Sequence, residues 1–440
     1  MYDFLKKSAV LILTWEARLV LARYKPKIIA VTGSVGKTTT KDAIYAVLTG
    51  SLYVRKSEKS FNSDIGVPLT ILGLENAWRS PWRWVSNALR GLWLCIAPSR
   101  GGSAFGGKKY PEWLVLEVGA DRPGDIRNIA RWLKPDIVVL TGVPDVPVHV
   151  EFFSSPEEVI LEKRSLAEYM KENGTLIING DDTRMLGMCA EYAGSVVTYG
   201  LGRQNNFSAS HQAIAYEKKK PTGIRFKAVF EGVALPVSIS GVLGAGRVYA
   251  ALAAFAVARI VGVNEASIAG TLSGWTPPPG RMHIIPGVNG STIIDDTYNS
   301  SPAAALSALD TLKETKAARR IAMLGDMLEL GRYSVEAHRG IGTHVASFAD
   351  MLITIGFRSR TSGEAALDAG MTDMQVREYE QSESRRAGRD LRGELKEGDV
   401  VLVKGSQSMR MERTVEELMA DPEQASEVLV RQEPEWLLKN

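Results

Sequence analysis

The chain has 440 residues, more than one compact core normally holds, and this length predicts two or three domains. Hydrophobic residues make up 45% and charged residues 23%, as in soluble globular proteins, and the formal net charge of +3 gives no support for nucleic acid as a partner. The two cysteines, Cys95 and Cys189, lack metal-ligand spacing, which argues against a disulfide framework or a zinc site and favours a reducing cytoplasm.

The N-terminus, residues 1–27, predicts an amphipathic helix that ends near Arg23. Leu5 to Leu21 is rich in apolar residues, but charged side chains interrupt it at Lys6, Lys7, Glu16 and Arg18. A membrane-spanning helix needs about 20 predominantly apolar residues, and a signal peptide needs a small-residue cleavage site. Neither pattern is present.

The first α/β pattern predicts a central domain over residues 28–275. Lys27–Thr32 (KIIAVT) is typical of a buried strand, Gly33–Lys37 of a tight turn and Thr38–Leu48 of a helix. Further short apolar strands are predicted at 114–118, 137–141 and 175–179, with a helix at 156–171. This alternation predicts a mostly parallel sheet between helices, and the alternating pattern of residues 196–241 predicts an antiparallel appendage.

Trp275–Gly280 (WTPPPG) predicts a linker, because consecutive prolines continue neither a helix nor a strand. A second α/β pattern follows and predicts a Rossmann-like C-terminal domain over residues 276–440. Its strands are expected at 291–295, 320–324, 351–355 and 399–403. The fold class is therefore α/β in both halves of the chain, with a functional cleft expected between them.

Thr32–Thr38 (TGSVGKT) lies at the junction of strand and helix where a phosphate-binding loop is expected. Glycines allow backbone N–H groups to surround phosphate oxygens, and the helix N-terminus adds partial positive charge. Val31 replaces the first glycine of the general phosphate-loop motif. Lys37 is expected to reach the β- and γ-phosphates of ATP and the Thr38 hydroxyl to bind Mg²⁺. The predicted ATP contacts in this loop are Gly33, Ser34, Val35, Gly36, Lys37, Thr38 and Thr39.

The segment TGSVGKTTTK resembles the shortened phosphate loop of the Mur ligase family, and the resemblance is closest to the MurF type. Other segments resemble landmarks of that family in the same order, from residue 27 to about 418. They are Asn62–Thr70 (NSDIGVPLT), Leu116–Ala120 (LEVGA), His149–Glu151 (HVE), Glu162–Lys163, Pro279–Arg281 (PGR), Asp295–Asn299 (DDTYN), Gly325–Gly331 (GDMLELG) and Lys404–Ser406 (KGS).

The resemblance implies an ATP-dependent carboxylate–amine ligase that joins a peptidoglycan-precursor peptide to D-alanyl-D-alanine or a similar amine through an acyl phosphate. It implies catalytic roles for Lys37, Glu117, His149 and Lys163, with Thr38, Glu117 and His149 as metal ligands. Lys163 matches a lysine that some members carbamylate. Histidine is an unusual Mg²⁺ ligand on general grounds, so the assignment of His149 rests on the family alone.

The resemblance also implies nucleotide contacts from beyond the linker, with Arg281 on the phosphates and Asp296 on the ribose. The substrate contacts that it implies are Asn62, Asp326, Glu329, Lys404 and Ser406, with Glu336 and His338 near the acceptor amine.

Two departures limit the resemblance. MurF-type ligases normally carry an N-terminal UDP-binding domain, whereas only about 30 residues precede the phosphate loop here, too few for such a domain.

The insertion of residues 76–110 is rich in aromatic and basic residues and has no acidic residue. It contains four of the nine tryptophans and six cations, namely Trp78, Trp82, Trp84, Trp93, Arg79, Arg83, Arg90, Arg100, Lys108 and Lys109. One interpretation is peripheral association with an anionic membrane at its inner face, which would make a lipid-linked substrate an alternative. The other is that the insertion and the N-terminal helix pack together as a small substitute domain.

The second departure is Gly244–Ala254 (GAGRVYAALAA), where Arg247 and Ala250 replace two asparagines that help the family to recognise adenine. ATP remains the expected nucleotide, with base selectivity left open. The rival functions are a folylpolyglutamate-synthase-like or other amide ligase, and a membrane-associated nucleotide-binding protein without ligase chemistry. We expect a cytoplasmic monomer that acts on small-molecule substrates.

Overall fold

Two α/β sheets, one in each half of the chain, organise the protein. The computed structural model describes residues 2–58, 61–77, 80–96, 109–147, 149–189 and 192–437. The helices are α1 (Tyr2–Tyr24), α2 (Lys37–Thr49), α3 (Gly66–Leu72), α4 (Pro81–Ile96), α5 (Asp125–Leu133), α6 (Pro156–Glu168), α7 (Thr183–Cys189), α8 (Ala245–Val261), α9 (Glu265–Gly274), α10 (Pro302–Glu314), α11 (Ser334–Ala346), α12 (Arg360–Asp368), α13 (Ser384–Arg392), α14 (Glu412–Leu418), α15 (Ala425–Val428) and α16 (Pro434–Leu437). The strands are β1 (Lys27–Thr32), β2 (Val54–Lys56), β3 (Trp113–Glu117), β4 (Ile137–Leu140), β5 (Thr175–Asn179), β6 (Ser195–Gly200), β7 (Phe207–Glu217), β8 (Lys220–Phe230), β9 (Val233–Ser240), β10 (His283–Pro286), β11 (Thr292–Asp296), β12 (Arg320–Gly325), β13 (Met351–Ile355), β14 (Val376–Tyr379) and β15 (Val400–Lys404).

The first sheet has nine strands in the order β2-β3-β1-β4-β5-β6-β7-β8-β9. Neighbouring strands are parallel as far as β7, and β7, β8 and β9 then pair antiparallel. The predicted antiparallel region is therefore present, but it extends the main sheet. The extension is continuous because Tyr199 and Gly200 of β6 pair in parallel with Phe207 and Ser208 of β7.

The second sheet has six strands in the order β10-β11-β15-β12-β13-β14. All its pairs are parallel except β10 with β11, which confirms the α/β fold class predicted for the C-terminal half. The sequence pattern missed β2, β10 and β14, which are three or four residues long and lie at or near sheet edges. Short edge strands leave little periodicity to detect.

Strand β1 is central to the first sheet because it pairs with both β3 and β4. Its last five residues are buried, as expected for a parallel strand covered by helices on both faces. The carboxyl ends of such strands form the crevice where ligands bind in open α/β sheets. The phosphate loop follows β1 directly and therefore opens into that crevice.

Helix α1 packs against α3 and α4 on the first half of the molecule. It ends at Tyr24, one residue beyond the predicted end. Helix α4, from the insertion, contacts α1, whereas Trp78, Arg79, Arg100 and Lys108 of the insertion lie outside the described residues. No helix in the described part of the chain is long and apolar enough to cross a membrane.

Candidate active site

The phosphate loop has the backbone geometry that its glycines predict. Gly33 has φ +147° and Gly36 has φ +84°, a left-handed conformation immediately before α2. A Cβ on Gly33 would lie 1.8 Å from Oγ1 of Thr141, the residue that follows β4, so the space beside Gly33 favours glycine. The backbone N–H groups of Ser34 and Val35 donate to the Gly142 carbonyl, whereas the first turn of α2 has N–H groups that no intrahelical bond satisfies.

Lys37 lies at the start of α2 among several charged groups. Desolvation lowers the pKa of its ammonium from the usual value, Glu117 and Asp121 oppose that shift, and Arg281 adds to it. The Ser34 hydroxyl is buried and has no hydrogen-bond partner among the described residues. A loop with a cation and an unpaired hydroxyl at a helix N-terminus is suited to an anionic phosphate group.

Two arginines from distant parts of the chain contact the first turn of α2. Arg281 Nη2 donates to Thr38 Oγ1 at 3.1 Å, and its guanidinium lies 4.0 Å from the centre of the Tyr298 ring. Arg247 Nη1 donates to Thr39 Oγ1 at 2.8 Å, and its Nη2 donates to the Arg281 carbonyl at 2.8 Å. Arg247 is buried, which lowers its pKa to about 10. The residue that departs from the family pattern thus ties the phosphate loop to Arg281.

Glu117 lies at the end of β3 and is buried, with 1% of its surface exposed. Its Oε1 accepts a hydrogen bond from Asn62 Nδ2 at 3.0 Å, and its Oε2 has no hydrogen-bond partner among the described residues. Lys41 Nζ forms an ion pair with Oε2 at 3.9 Å, which is beyond hydrogen-bond distance. Asn62, predicted as a substrate contact, therefore orients Glu117 in this structure. A buried carboxylate oxygen without a donor requires compensation, and a bound cation would supply it.

Lys163 of α6 is buried, and this burial lowers its pKa to about 7. Lys37 lowers the pKa further, whereas Glu162 and Asp121 raise it. The adjacent Glu162 carboxylate accepts hydrogen bonds from the backbone N–H groups of Gly124, Ile126 and Arg127 at the start of α5. Lys163 therefore has a rigid neighbour and an amine that is partly neutral near pH 7.

His149 precedes a 3₁₀ turn (Val150–Phe152) and has φ +65°, an uncommon conformation for a residue with a side chain. Its Nδ1 lies 2.7 Å from Oε2 of Glu329, and its Nε2 lies 3.7 Å from Oδ1 of Asp121. The contact with His149 lowers the pKa of Glu329. The hydrogen bonds and ion pairs of the described residues do not join His149 to Glu117 or Thr38, so the three predicted metal ligands do not contact one another directly. Asp121 follows the LEVGA segment directly, and sequence analysis missed it.

Asp296 and Lys404 form an ion pair beneath the cleft. Lys404 Nζ donates to Asp296 Oδ2 at 2.6 Å and to the Asn299 carbonyl at 2.8 Å, and Lys404 is 2% exposed. Met282 N donates to Asp296 Oδ1. Asp296, the predicted ribose contact, and Lys404, the predicted substrate contact, therefore bind each other. Lys404 is buried and positions the Asp296 carboxylate.

The GDMLELG segment forms a loop held from two sides. Ser406 Oγ accepts from Leu328 N at 2.9 Å, and His338 Nε2 accepts from Met327 N at 3.1 Å. Because Nε2 is an acceptor, Nδ1 carries the proton and donates to the Ser334 carbonyl at 2.7 Å, which describes a neutral histidine. Burial lowers the pKa of His338 accordingly. His338 supports this loop, and Glu336 is exposed on the first turn of α11.

Asp326 is also buried and accepts from Ser359 N at 2.8 Å. A cavity of about 460 Å³ opens beside this loop. Its walls come from both halves of the molecule and include two predicted substrate residues, Glu329 and Ser406, together with His149. The remaining lining residues are Asn299, Ser300, Leu328, Gln407, Ser408, Arg410 and Trp436.

Sequence analysis missed Arg410, which lies shortly after the KGS segment, and it missed Trp436 because nothing in the sequence of the C-terminal tail indicated that the tail returns to the site. Arg431 holds the tail there through Glu412 Oε2 at 2.8 Å and the Thr297 carbonyl at 3.1 Å.

The residues present fit a magnesium site that is shared with a nucleotide. Within the described ranges, no group of three or more His, Cys, Asp or Glu side chains could hold a metal ion. Mg²⁺ does not need such a cage, since it takes one or two carboxylates and completes its shell with phosphate oxygens and water. Glu117 Oε2, which accepts no hydrogen bond from a described residue, and the Thr38 hydroxyl are oxygen donors of that kind.

Two protein-family models match the chain. The model of the Mur ligase middle domain matches residues 31–80 and 105–258, and the model of the Mur ligase glutamate ligase domain matches residues 280–407. The chain belongs to the Mur ligase family. The matches of this Mur ligase omit residues 81–104, which fall inside the insertion predicted at 76–110.

Curated relatives of this Mur ligase include the UDP-N-acetylmuramoyl-tripeptide–D-alanyl-D-alanine ligases of Bacillus subtilis and Synechocystis. Each is 28% identical; the matches cover 92% and 91% of this chain and 79% and 76% of the relatives. Among solved structures, MurF ligase from Thermotoga maritima in complex with ADP is 25% identical with a TM-score of 0.75, covering 93% of this chain and 83% of that one.

The fold is shared more widely. MurF from Acinetobacter baumannii has a TM-score of 0.76 at 20% identity, covering 94% of this chain and 81% of that one. Mycobacterium tuberculosis folylpolyglutamate synthase, solved with ADP and AMPPCP, has a TM-score of 0.62 at 15% identity, and the match covers 90% of this chain and 93% of that one. The latter belongs to the rival ligase type, so the likeness in fold alone does not separate the two functions.

Proposed function

We propose that this Mur ligase is an ATP-dependent amide ligase of the MurF type. It would join the terminal carboxylate of a peptidoglycan-precursor peptide to the amine of D-alanyl-D-alanine or a similar dipeptide. The observation that carries the proposal is the convergence of Lys37, Glu117, Lys163 and Arg281 around one phosphate loop. The names of the relatives that match along most of the chain support the MurF substrates over those of folylpolyglutamate synthase.

The proposed reaction has two steps. A carboxylate oxygen of the peptide attacks the γ-phosphorus of ATP, and the bond to the β,γ-bridging oxygen breaks. ADP departs, and the peptide carboxylate is now an acyl phosphate. The dipeptide amine then attacks the acyl carbon, inorganic phosphate leaves, and the nitrogen loses a proton. Positioning and neutralisation of phosphate charge dominate such chemistry. Lys37 and Arg281 would supply the cations, and the first turn of α2 the N–H donors.

The metal assignment is part of this proposal. Thr38 and Glu117 would hold Mg²⁺ together with phosphate oxygens, and when bound the ion would neutralise charge on the phosphates. His149 would serve a second ion through Nε2, while the Glu329 carboxylate, 2.7 Å from Nδ1, orients the ring. Asp296 would contact the ribose while Lys404 keeps its carboxylate in place.

Lys163 is the proposed site of carbamylation. Only a neutral amine reacts with CO₂, and a pKa of about 7 leaves a substantial neutral fraction at physiological pH. The product is an anion next to Lys37, which would replace a repulsion between two cations by an attraction. This exchange favours the carbamate inside a buried site.

The peptide and the dipeptide would meet in the cavity beside Glu329 and Ser406. Arg410 pairs with Glu412 and donates to the Trp436 carbonyl at 3.0 Å, so it would hold the aromatic wall that Trp436 adds to the cavity. The oligomeric state is proposed to be monomeric, and the location cytoplasmic, where ATP and precursor peptides are available.

The test is phosphate release by the 440-residue chain with ATP and Mg²⁺, adding UDP-muramoyl-tripeptide and D-alanyl-D-alanine separately and together. We expect release only when both substrates are present, and loss of release in Lys37→Ala. Lys171→Ala, an exposed lysine paired with Asp136, is the control and should behave as the unsubstituted chain. Absence of release with the full pair would contradict the MurF assignment, and release with lipid-linked acceptors in its place would favour that alternative.

A further inference from the structure

Helices α1 and α4 pack against each other and each exposes large apolar side chains to solvent, which we together call the α1–α4 face. It is defined by Leu11, Trp15 and Leu19 on α1 and by Trp82, Leu89 and Ile96 on α4. Trp82 is 83% exposed and Leu11 is 72% exposed, values that are high for large apolar side chains. Single exposed apolar residues are common, whereas a series on two adjacent helices indicates an interaction surface.

The spacing shows that each series is a stripe along its helix. The α1 residues recur every four positions and the α4 residues every seven, so each set lies on one side of its helix. The opposite sides are already used for packing, by Leu13, Ala17 and Val20 on α1 and by Gly91 and Leu94 on α4. The α1–α4 face is therefore additional to the core that stabilises these helices.

The two helices are joined firmly enough to act as one platform. Tyr24 OH donates to the Leu94 carbonyl at 3.2 Å, and Cys95 Sγ contacts the Glu16 carbonyl at 3.6 Å. Gly91 provides the space for Glu16, because a Cβ at that position would lie 2.0 Å from Glu16 Oε2. The stripes on both helices are thus held in a set relation to each other.

On α1 from residue 8 onward and on α4, the exposed charged side chains are all cationic. Arg18, Arg83 and Arg90 are exposed, and none forms an ion pair with another described residue. Glu16 is the only acidic residue between residues 8 and 24 or between residues 81 and 96, and it is turned inward with 2% of its surface exposed. An apolar stripe with tryptophans and flanking arginines, free of exposed carboxylates, is complementary to an anionic lipid surface.

We propose that the α1–α4 face docks on the surface of a membrane that contains anionic lipid. The helices would lie in the interface with their apolar stripes among the acyl chains, since no described helix is long and apolar enough to span a bilayer. The face lies outside the matched family domains, because residues 1–30 and 81–104 are absent from both family matches. The proposal is independent of the ligase activity and does not require it.

The test is co-sedimentation of the 440-residue chain with vesicles of phosphatidylcholine, with or without phosphatidylglycerol. We expect binding to the anionic vesicles, little binding to the neutral ones, and a decline as salt concentration rises. Leu89→Glu places a charge in the stripe and should weaken binding about tenfold or more. Replacing Arg83 or Arg90 with alanine should weaken binding to anionic vesicles about fivefold each.

Phe357→Glu is the matched control, since Phe357 is 77% exposed in the other half of the molecule and should leave binding unchanged. Thermal unfolding of each variant confirms that the exposed substitutions leave the fold intact. No binding of the unsubstituted chain to anionic vesicles, or equal binding by Leu89→Glu, would overturn the proposal. It would also be overturned if light scattering showed a dimer that Leu89→Glu dissociates while vesicle binding stays absent, because the face would then join two copies of the chain.

Discussion

At the scale of the residue, Lys163 makes a prediction about pH and CO₂. Burial lowers its pKa to about 7, so the side chain is mainly cationic below that pH and mainly neutral above it. If the carbamate is required, phosphate release should rise as the pH passes through about 7. It should fall in CO₂-depleted buffer and return when bicarbonate is added. Intact-protein mass spectrometry in the cold should detect the added CO₂.

Lys163→Met removes the amine and should reduce phosphate release by roughly 10–100-fold or more, the range typical of groups that support a metal site. The control is Lys134→Met, a substitution just beyond the end of α5 at a residue outside the site. Normal activity in Lys163→Met, or insensitivity of the unsubstituted chain to bicarbonate, would refute the carbamate.

Arg247 carries the second prediction at this scale. Its guanidinium joins Thr39 of the phosphate loop to the Arg281 carbonyl, so Arg247→Ala should release both contacts. Buried hydrogen bonds to charged groups are worth about 1.5–3 kcal/mol, which predicts a roughly 10–100-fold fall in kcat/KM for ATP. Steady-state kinetics, with ATP varied at fixed concentrations of the other substrates, measure this fall in kcat/KM.

Arg247→Lys should recover part of that loss because it keeps one cationic donor, a result that a general loss of stability would not produce. Arg259→Ala, on the same helix but exposed and paired with Glu231 and Glu265, is the control. An alanine variant at position 247 with unchanged kinetics would show that Arg247 does not position the loop.

At the scale of the element, a carboxylate from α6 caps the N-terminus of helix α5. Glu162 accepts from three N–H groups near the first turn of α5, which satisfies donors that the helix itself leaves unpaired. Glu162→Gln removes the charge and one acceptor, so it should lower the free energy of unfolding by about 1–3 kcal/mol.

Urea denaturation measures this change, with the slope of the transition expected to stay constant. Glu168→Gln is the matched control on the same helix. Its ion pair with Arg164 is at the surface, so the expected change is within about 0.5 kcal/mol. Equal stability of the two variants would contradict the capping role of Glu162.

At the scale of the whole molecule, the contact between His149 and Glu329 joins the two halves across the cleft. Gly331 lies close by, where a Cβ would be 3.0 Å from that of Glu151. Glu329→Ala should therefore make local opening easier in the two segments beside this contact, Val150–Phe152 and Gly331–Tyr333. Their amide exchange should accelerate by about fivefold, as expected for the loss of about 1 kcal/mol.

Hydrogen–deuterium exchange with mass spectrometry measures the effect in the absence of nucleotide. Glu336→Ala, in the first turn of α11 and exposed, should leave both segments unchanged. Unaltered exchange in Glu329→Ala would show that the cleft is held by other contacts.

The sequence by itself determined the local units. The alternation of apolar strands with helical spacing predicted both α/β sheets, and the order Lys27–Thr32, glycine turn, α2 predicted the phosphate loop. These features depend on neighbours within a few residues and on the conformational freedom of Gly33 and Gly36, so the local sequence is sufficient. The ordered motifs predicted the family because they depend on residue identity alone.

The tertiary structure alone decided what the predicted residues contact. Asn62 meets Glu117, Lys404 meets Asp296, and Arg247 meets Thr39 across separations of 55 to 208 residues. It also decided that the antiparallel strands extend the main sheet and that the tail returns Trp436 to the cavity. A hydrogen bond or ion pair forms only when the packing of whole elements brings two groups within about 3 Å, and no local pattern records that distance.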